Sequence, residues 1–291
     1  MERDHLFIIS PPRSGSTFLY EVLSLGVNTI ELGYESDLAW WSALPYSPQR
    51  GFSDFVEEKD LTNSISKKIY SETVNRAYIQ RYGSYIRYKL HDTLGKTPKI
   101  YLDKTIANCF HLNILNSIYG EKKNRVKLVV LLRNPKQTIS SMMEGWKYKD
   151  LMGKPQIDGV LKRIENRKIE HWSFPIPPRW QENVNKPLHE LCAWSWAQHV
   201  EYIFDGIRKN SYDYVLIKYE QMLESITNTI KEIEVNLDVN LGIDFDKLKI
   251  KNSRTTISPP NQDKWLVNKQ LIQESLSSIK DTIVKIPYVI D

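Results

Sequence analysis

Only two cysteines occur among the 291 residues, Cys109 and Cys192. They lie far apart in apolar surroundings and form no metal-ligand spacing. A disulfide scaffold and a structural zinc site are therefore not expected, and two buried free thiols are. No apolar run approaches the ~20 residues that a membrane-spanning helix requires. No signal-peptide pattern precedes the first strand pattern, so a cytoplasmic protein without membrane association is expected. The excess of basic over acidic residues is small, 40 against 35 for a net charge of +5. No dense basic block stands out, which suits an anionic ligand better than nucleic acid. Internal repeats are absent as well.

What is present reads as an α/β protein. Short apolar runs at 5–10, 98–102, 126–132 and 213–218 have the character of buried parallel strands. Helical periodicity appears around 16–25, 60–80, 107–118, 136–145, 187–208, 222–235 and 267–281. Strands alternating with helices predict a central parallel sheet flanked by helices, with ligands at the strand C-terminal ends. The chain is read as a single domain over 1–291. Residues 148–187, charged at first and then aromatic and Pro-rich, read as a lid or substrate insertion.

The most informative stretch is His5–Leu19. An apolar run ends in Pro11-Pro12, then a small-residue loop with one cation, Arg13-Ser14-Gly15-Ser16-Thr17, leads into a helix pattern. Strand, tight loop and helix N-terminus bring backbone N–H groups and the helix dipole onto an anion. Gly15 allows close backbone approach, Ser16 and Thr17 offer hydroxyls, and Arg13 adds a planar fork for oxyanions. The Walker pattern needs two glycines around four residues and then Lys-Ser/Thr. Here one glycine and no lysine are found. A second stretch, Val126–Pro135, ends a buried strand at Arg133, and Ser141 follows within the next helix pattern. A loop and helix of that length can bring Arg133 and Ser141 to one phosphate.

Together these strings resemble the sulfotransferases that use 3′-phosphoadenosine-5′-phosphosulfate (PAPS). Pro12-Arg13-Ser14-Gly15-Ser16-Thr17 is similar to their 5′-phosphosulfate loop, and Arg133-Asn134-Pro135 with Ser141 to their 3′-phosphate motif. The resemblance implies a P-loop-NTPase-like three-layer sandwich, PAPS as donor, PAP as product and no metal. It places Phe18 and Tyr219 near adenine. Arg254, Lys264 and Trp265 fall in a segment resembling the loop that closes over the 3′-phosphate, without that loop's usual glycines. Lys104 matches a strand-end lysine that touches the transferring group. The histidine often found two residues later is here Ile106, so Glu35 is the leading base, with His91, His111 and His199 as alternates.

Sulfuryl transfer, like phosphoryl transfer, depends on positioning and charge stabilisation. Arg13 is expected to stabilise the leaving phosphate. Trp40, Trp41, Trp146 and Trp172 are the candidate acceptor pocket. Aromatic faces near carboxylates suit a flat or cationic small molecule, such as a guanidinium natural product of the saxitoxin type from secondary metabolism. The competing readings are a P-loop-like nucleotide kinase or hydrolase and a non-catalytic nucleotide-binding module.

Overall fold

The computed structural model describes residues 3–48, 51–120, 125–148, 155–248, 256–257 and 262–286. Its centre is a five-stranded parallel sheet with strand order β2-β3-β1-β4-β5. The strands are β1 (Asp4–Ile9), β2 (Thr29–Ile30), β3 (Ile100–Asp103), β4 (Arg125–Leu132) and β5 (Asp213–Lys218). Four of them match the expected apolar runs. The two-residue β2, paired to Ile100 and Tyr101, is too short to leave a periodic signal.

Side chains alternate across each strand with period two. Phe7, Ile9, Leu128, Val130 and Leu132 face one layer of core; Leu6, Ile8, Val129 and Leu131 face the other. Helices cover both faces, which makes the three-layer α/β sandwich. On the second face lie α1 (Ser16–Leu23), α10 (Tyr219–Glu224) and α11 (Ile226–Leu237). Lys127, charged yet 1% exposed, also belongs to that layer. Its ammonium donates to the carbonyls of Leu237 and Asp238 at the C-terminus of α11, where the helix dipole favours a cation.

The larger layer holds α2 (Asp37–Ala43), α3 (Asn63–Tyr70), α4 (Arg76–Tyr82), α5 (Tyr85–Thr93) and α6 (Leu115–Tyr119). It continues with α7 (Pro135–Trp146), α8 (Pro155–Leu161), the long α9 (Leu188–Asn210), α12 (Lys269–Ser278) and α13 (Lys280–Lys285). The expected single helix over 60–80 is interrupted by a π turn at Ser71–Asn75. There the Thr73 hydroxyl bonds back to the Ile69 carbonyl at 2.7 Å, a contact that bends helices.

Residues 155–187 make up most of the segment, 148–187, read from the sequence as a lid or substrate insertion. They carry α8 and a 3-10 turn at Trp180–Asn183, and Trp172, Phe174, Ile176 and Trp180 are buried in the main core. Asp158 accepts the Trp172 backbone N–H at 2.7 Å, and Asp54 accepts that of Ile176 at 2.6 Å. Such a segment is fastened into the body of the fold.

Among the described residues, no helix is long and apolar enough to cross a membrane. No group of three His, Cys, Asp or Glu side chains there could hold a metal ion.

Candidate active site

Strand β1 lies between β3 and β4, so the chain leaves it for one side of the sheet and later crosses to the other. That reversal opens a crevice at the strand C-terminal ends, where open α/β sheets bind ligands. Four of these ends converge here, contributing Arg13 after β1, Lys104 after β3, Arg133 after β4 and Tyr219 after β5.

The loop after β1 carries two left-handed residues, Arg13 at φ 66° and Gly15 at φ 91°. Gly15 is the N-cap of α1 and has no side chain to close the helix end. The first-turn N–H groups therefore point into the crevice as an anion cradle. Gly15 is required on two counts. Its φ is unfavourable for a residue with a Cβ, and such a Cβ would stand 2.5 Å from the Tyr219 ring. Ser14 is completely buried and its hydroxyl has no hydrogen-bond partner, while Ser16 and Thr17 are buried beside it. That hydroxyl is free to donate to an oxyanion held in the loop.

Arg13 donates from Nε to the Ser141 hydroxyl on α7 at 3.2 Å. Arg133 donates to the Arg13 carbonyl at 3.3 Å and to Gln137 at 3.1 Å, and its guanidinium stacks 4.5 Å from the centre of the Tyr219 ring. Asn134 caps α7 by accepting the Lys136 N–H at 2.9 Å, with Pro135 in the first turn. Its own N–H reaches Glu220 at 3.1 Å, tying the ends of β4 and β5 together. Burial pulls the Arg13 pKa down; Glu144 opposes that shift and the neighbouring Arg133 adds to it. Two guanidinium groups held this close favour an anion between them.

The structure thus brings Arg13, Ser14, Gly15, Arg133, Ser141 and Tyr219 together. Phe18 is half-buried and packs on the second core layer. Lys264 forms an ion pair with Glu144 at 3.1 Å, and Trp265 lies under the Lys136 ammonium at 5.4 Å, so this segment crosses over α7. Arg254 lies outside the described residues.

On the other side of β1, the Lys104 ammonium, 5% exposed, pairs with the Glu35 carboxylate. Asp103, next to Lys104, is buried and accepts from Tyr101 at 3.1 Å and from Asn108 at 2.9 Å. Burial pushes its pKa up to about 6, which its hydrogen bonds oppose. Among the alternate bases, His111 and His199 are buried, with pKa values pulled down by burial to about 3 and about 4. Both rings are engaged internally: His111 stacks on Trp40 at 3.9 Å, and His199 Nδ1 bonds the Ser195 carbonyl at 2.7 Å. His91 sits on α5 against Tyr82, away from the residues that cluster here.

The tryptophans depart from expectation. Trp40, Trp146 and Trp172 are 1%, 4% and 0% exposed and belong to the main core, so they have almost no face to offer a ligand. Trp146, Trp172 and Trp180 pack edge to face, with ring centres 5.6 and 5.5 Å apart in sequence order. Trp41 is partly buried, its indole N–H donating to Asp54 at 3.1 Å. Glu35 and Glu144 are each paired to a lysine. Of the four candidate pocket tryptophans only Trp41 keeps a partly exposed face.

Sequence reasoning passed over Asp54, Ser36, Thr105 and Asn108. Their signal is only a polar residue in a buried loop, which carries no periodicity.

A family model described as "Sulfotransferase domain" matches residues 3–282. The sulfotransferase domain from the curacin biosynthetic pathway is 16% identical, with 99% of this chain and 94% of that one covered and a TM-score of 0.45. The sulfotransferase domain of the Synechococcus PCC 7002 olefin synthase is 17% identical over 100% and 91% of the two chains, at 0.40. A sulfotransferase from Alicyclobacillus acidocaldarius is 14% identical over 98% and 97%, at 0.42. No match was found among curated proteins.

Proposed function

Because the chain belongs to the sulfotransferase domain family, we propose that it moves a sulfuryl group from PAPS to a hydroxyl or amine of a small molecule. The observation that carries this reading is the meeting of the β1 and β4 loops. Arg13 bonds Ser141 while Arg133 bonds the Arg13 carbonyl, beside the partnerless buried hydroxyl of Ser14. Two anion sites fused in this way suit a nucleotide with phosphate on both the 5′ and the 3′ side.

When bound, PAPS supplies an activated sulfuryl group on its 5′-phosphate. The chain's own residues do the rest. The N–H groups opening α1, with Ser14, Ser16 and Thr17, hold the 5′ side, and Arg13 neutralises charge gathering on the leaving phosphate. Arg133 and Ser141 hold the 3′-phosphate, with Phe18, Tyr219 and the Lys264–Trp265 segment closing the nucleotide side. Lys104, just after β3, would steady the group in transit. Glu35, held by Lys104, takes the proton of the acceptor hydroxyl or amine. No step assigned to these residues calls for a metal ion, and the site works in a soluble compartment.

A nucleotide kinase or hydrolase reading lacks the loop lysine that would cradle a triphosphate. Thermal denaturation with PAP and, separately, with ATP and Mg²⁺ discriminates between them. PAP is expected to raise the melting temperature and ATP–Mg²⁺ to leave it nearly unchanged. Stabilisation by ATP–Mg²⁺ alone would overturn the proposal.

A further inference from the structure

We propose that Asp103 is a positioning residue whose carboxylate, through the hydroxyls of Thr105 and Ser36, sets the meeting of Lys104 with Glu35. This rests on the reading of Lys104 and Glu35 as the acceptor-side pair.

Lys104 and Glu35 are 69 residues apart in sequence, and so are Thr105 and Ser36. The second pair stands directly beside the first along the chain. Thr105 Oγ1 accepts the Ser36 backbone N–H at 2.7 Å and lies 2.8 Å from the Ser36 hydroxyl. The two pairs are thus neighbouring rungs between the end of β3 and the segment entering α2. Asp103 stands behind the inner rung, where one of the two hydroxyls donates to its carboxylate while the other donates across the rung. Tyr101 and Asn108 supply two further donors at 3.1 and 2.9 Å.

His111 lies beside Asn108, and its Nε2 donates to the Asp54 carbonyl at 2.8 Å. Every one of these groups is buried, Asp103 at 3% and Thr105 at 0% exposure.

A buried carboxylate is costly, and packing alone would be served better by an apolar residue of similar size. What the carboxylate adds is direction. Three donors converging on two oxygens, from Tyr101, Asn108 and one of the two hydroxyls, orient the Thr105–Ser36 hydroxyl pair, and with it the backbone that carries Lys104 and Glu35. Small displacements of such a pair are expensive in rate, because an error of about 1 Å costs about 100-fold.

The test is Thr105→Val, which keeps the shape and removes the hydroxyl, with Thr105→Ser as the conservative rescue. PAP affinity and single-turnover sulfuryl transfer from PAPS are measured on the full chain. Thr105→Val is expected to lower the transfer rate by about ten-fold or more while PAP affinity stays within about two-fold. Thr105→Ser should recover most of the rate. Asp103→Asn gives a second reading of the same split should the valine variant fold poorly. Transfer at the wild-type rate in either disrupting variant overturns the positioning role, as does an equal loss of rate and PAP affinity. A wild-type chain that binds PAP but transfers nothing overturns the functional reading and this inference together.

Discussion

Replacing Gly15 with alanine imposes two separable penalties at the centre of the proposed nucleotide site. The first is backbone strain, since φ at Gly15 is 91° and a residue with a Cβ there costs roughly 1–2 kcal/mol. The second is steric. The new methyl would lie 2.5 Å from two carbons of the Tyr219 ring, which is itself buried and packed in the second core layer. The ring must move, and with it goes the stacking of Arg133, which lies 4.5 Å from its centre and is worth about 0.5–2 kcal/mol. The sum is about 2–4 kcal/mol. At about 2 °C per kcal/mol for a chain of this size, the melting temperature should fall by about 4–8 °C.

Gly95 supplies the control. Its φ is 69°, yet an added Cβ there meets nothing within 4 Å. Gly95→Ala therefore pays backbone strain alone, far from the nucleotide loops. Differential scanning calorimetry and PAP titration on both variants separate the terms. Gly15→Ala should be the less stable of the two and should bind PAP at least about ten-fold more weakly, because Arg133 is displaced. Equal melting temperatures for the two variants, with PAP affinity intact in both, would refute the packing argument.

Arg13→Ala should leave the melting temperature within a few degrees of wild type, yet lower the rate of sulfuryl transfer by at least about 100-fold, the scale of losing one preorganised charge donor. Rapid-quench kinetics checks it, and retained transfer would remove the leaving-group role. Glu35→Gln should reduce the single-turnover rate by about 100-fold or more, as expected for loss of a general base; a near-wild-type rate would pass that role to another group or to the acceptor itself. Stability should fall as pH drops below about 6.5. His5, His111 and His199 have folded pKa values held down near 3, 3 and 4 by burial. Depressed histidine pKa values give stability that is present above the unfolded pKa and lost as pH falls toward the folded one. At pH 5.5 each costs about 1.4 kcal/mol, about 4 kcal/mol for the three. Asp103 acts in the opposite sense, because its folded pKa is raised to about 6; it returns about 1 kcal/mol between pH 7 and 5.5. The net loss of about 3 kcal/mol should appear as a drop of about 6 °C in melting temperature, and a flat profile would contradict the burial of these rings as neutral species.

The sheet and the meeting of the β1 and β4 loops were legible because their signals are local. A buried parallel strand is a continuous apolar run, and the cation, glycine and hydroxyls of an anion loop sit side by side, as in Pro12–Thr17. Arg133 and Ser141 are similarly joined by one strand end and one helix. The acceptor side depends on contacts between segments far apart in sequence. Burial of Trp146 and Trp172 is decided by residues 155–187 folding back onto α7, where Phe174 stands 2.8 Å from the place of a Cβ on Gly145. Nothing in the composition of those residues distinguishes a tryptophan facing a pocket from one facing the core. The Lys104–Glu35 pair was foreseen as two separate residues, but the Asp103, Thr105 and Ser36 network behind it spans segments that no periodicity connects. Helix α5 was missed for a related reason, since of its nine residues only Tyr88 is buried and no apolar stripe marks it.

One chain is proposed to hold phosphate at both the β1 and the β4 loop, and calorimetric titration with PAP and with AMP, which lacks the 3′-phosphate, measures this most directly. Two charge-assisted contacts from Arg133 and Ser141, at about 1.5 kcal/mol or more each, predict PAP binding at least about 100-fold tighter than AMP. Arg133→Ala should cut that advantage by about ten-fold or more while leaving AMP affinity nearly unchanged. Equal affinity for PAP and AMP in the wild-type protein would contradict the two-site reading at its root.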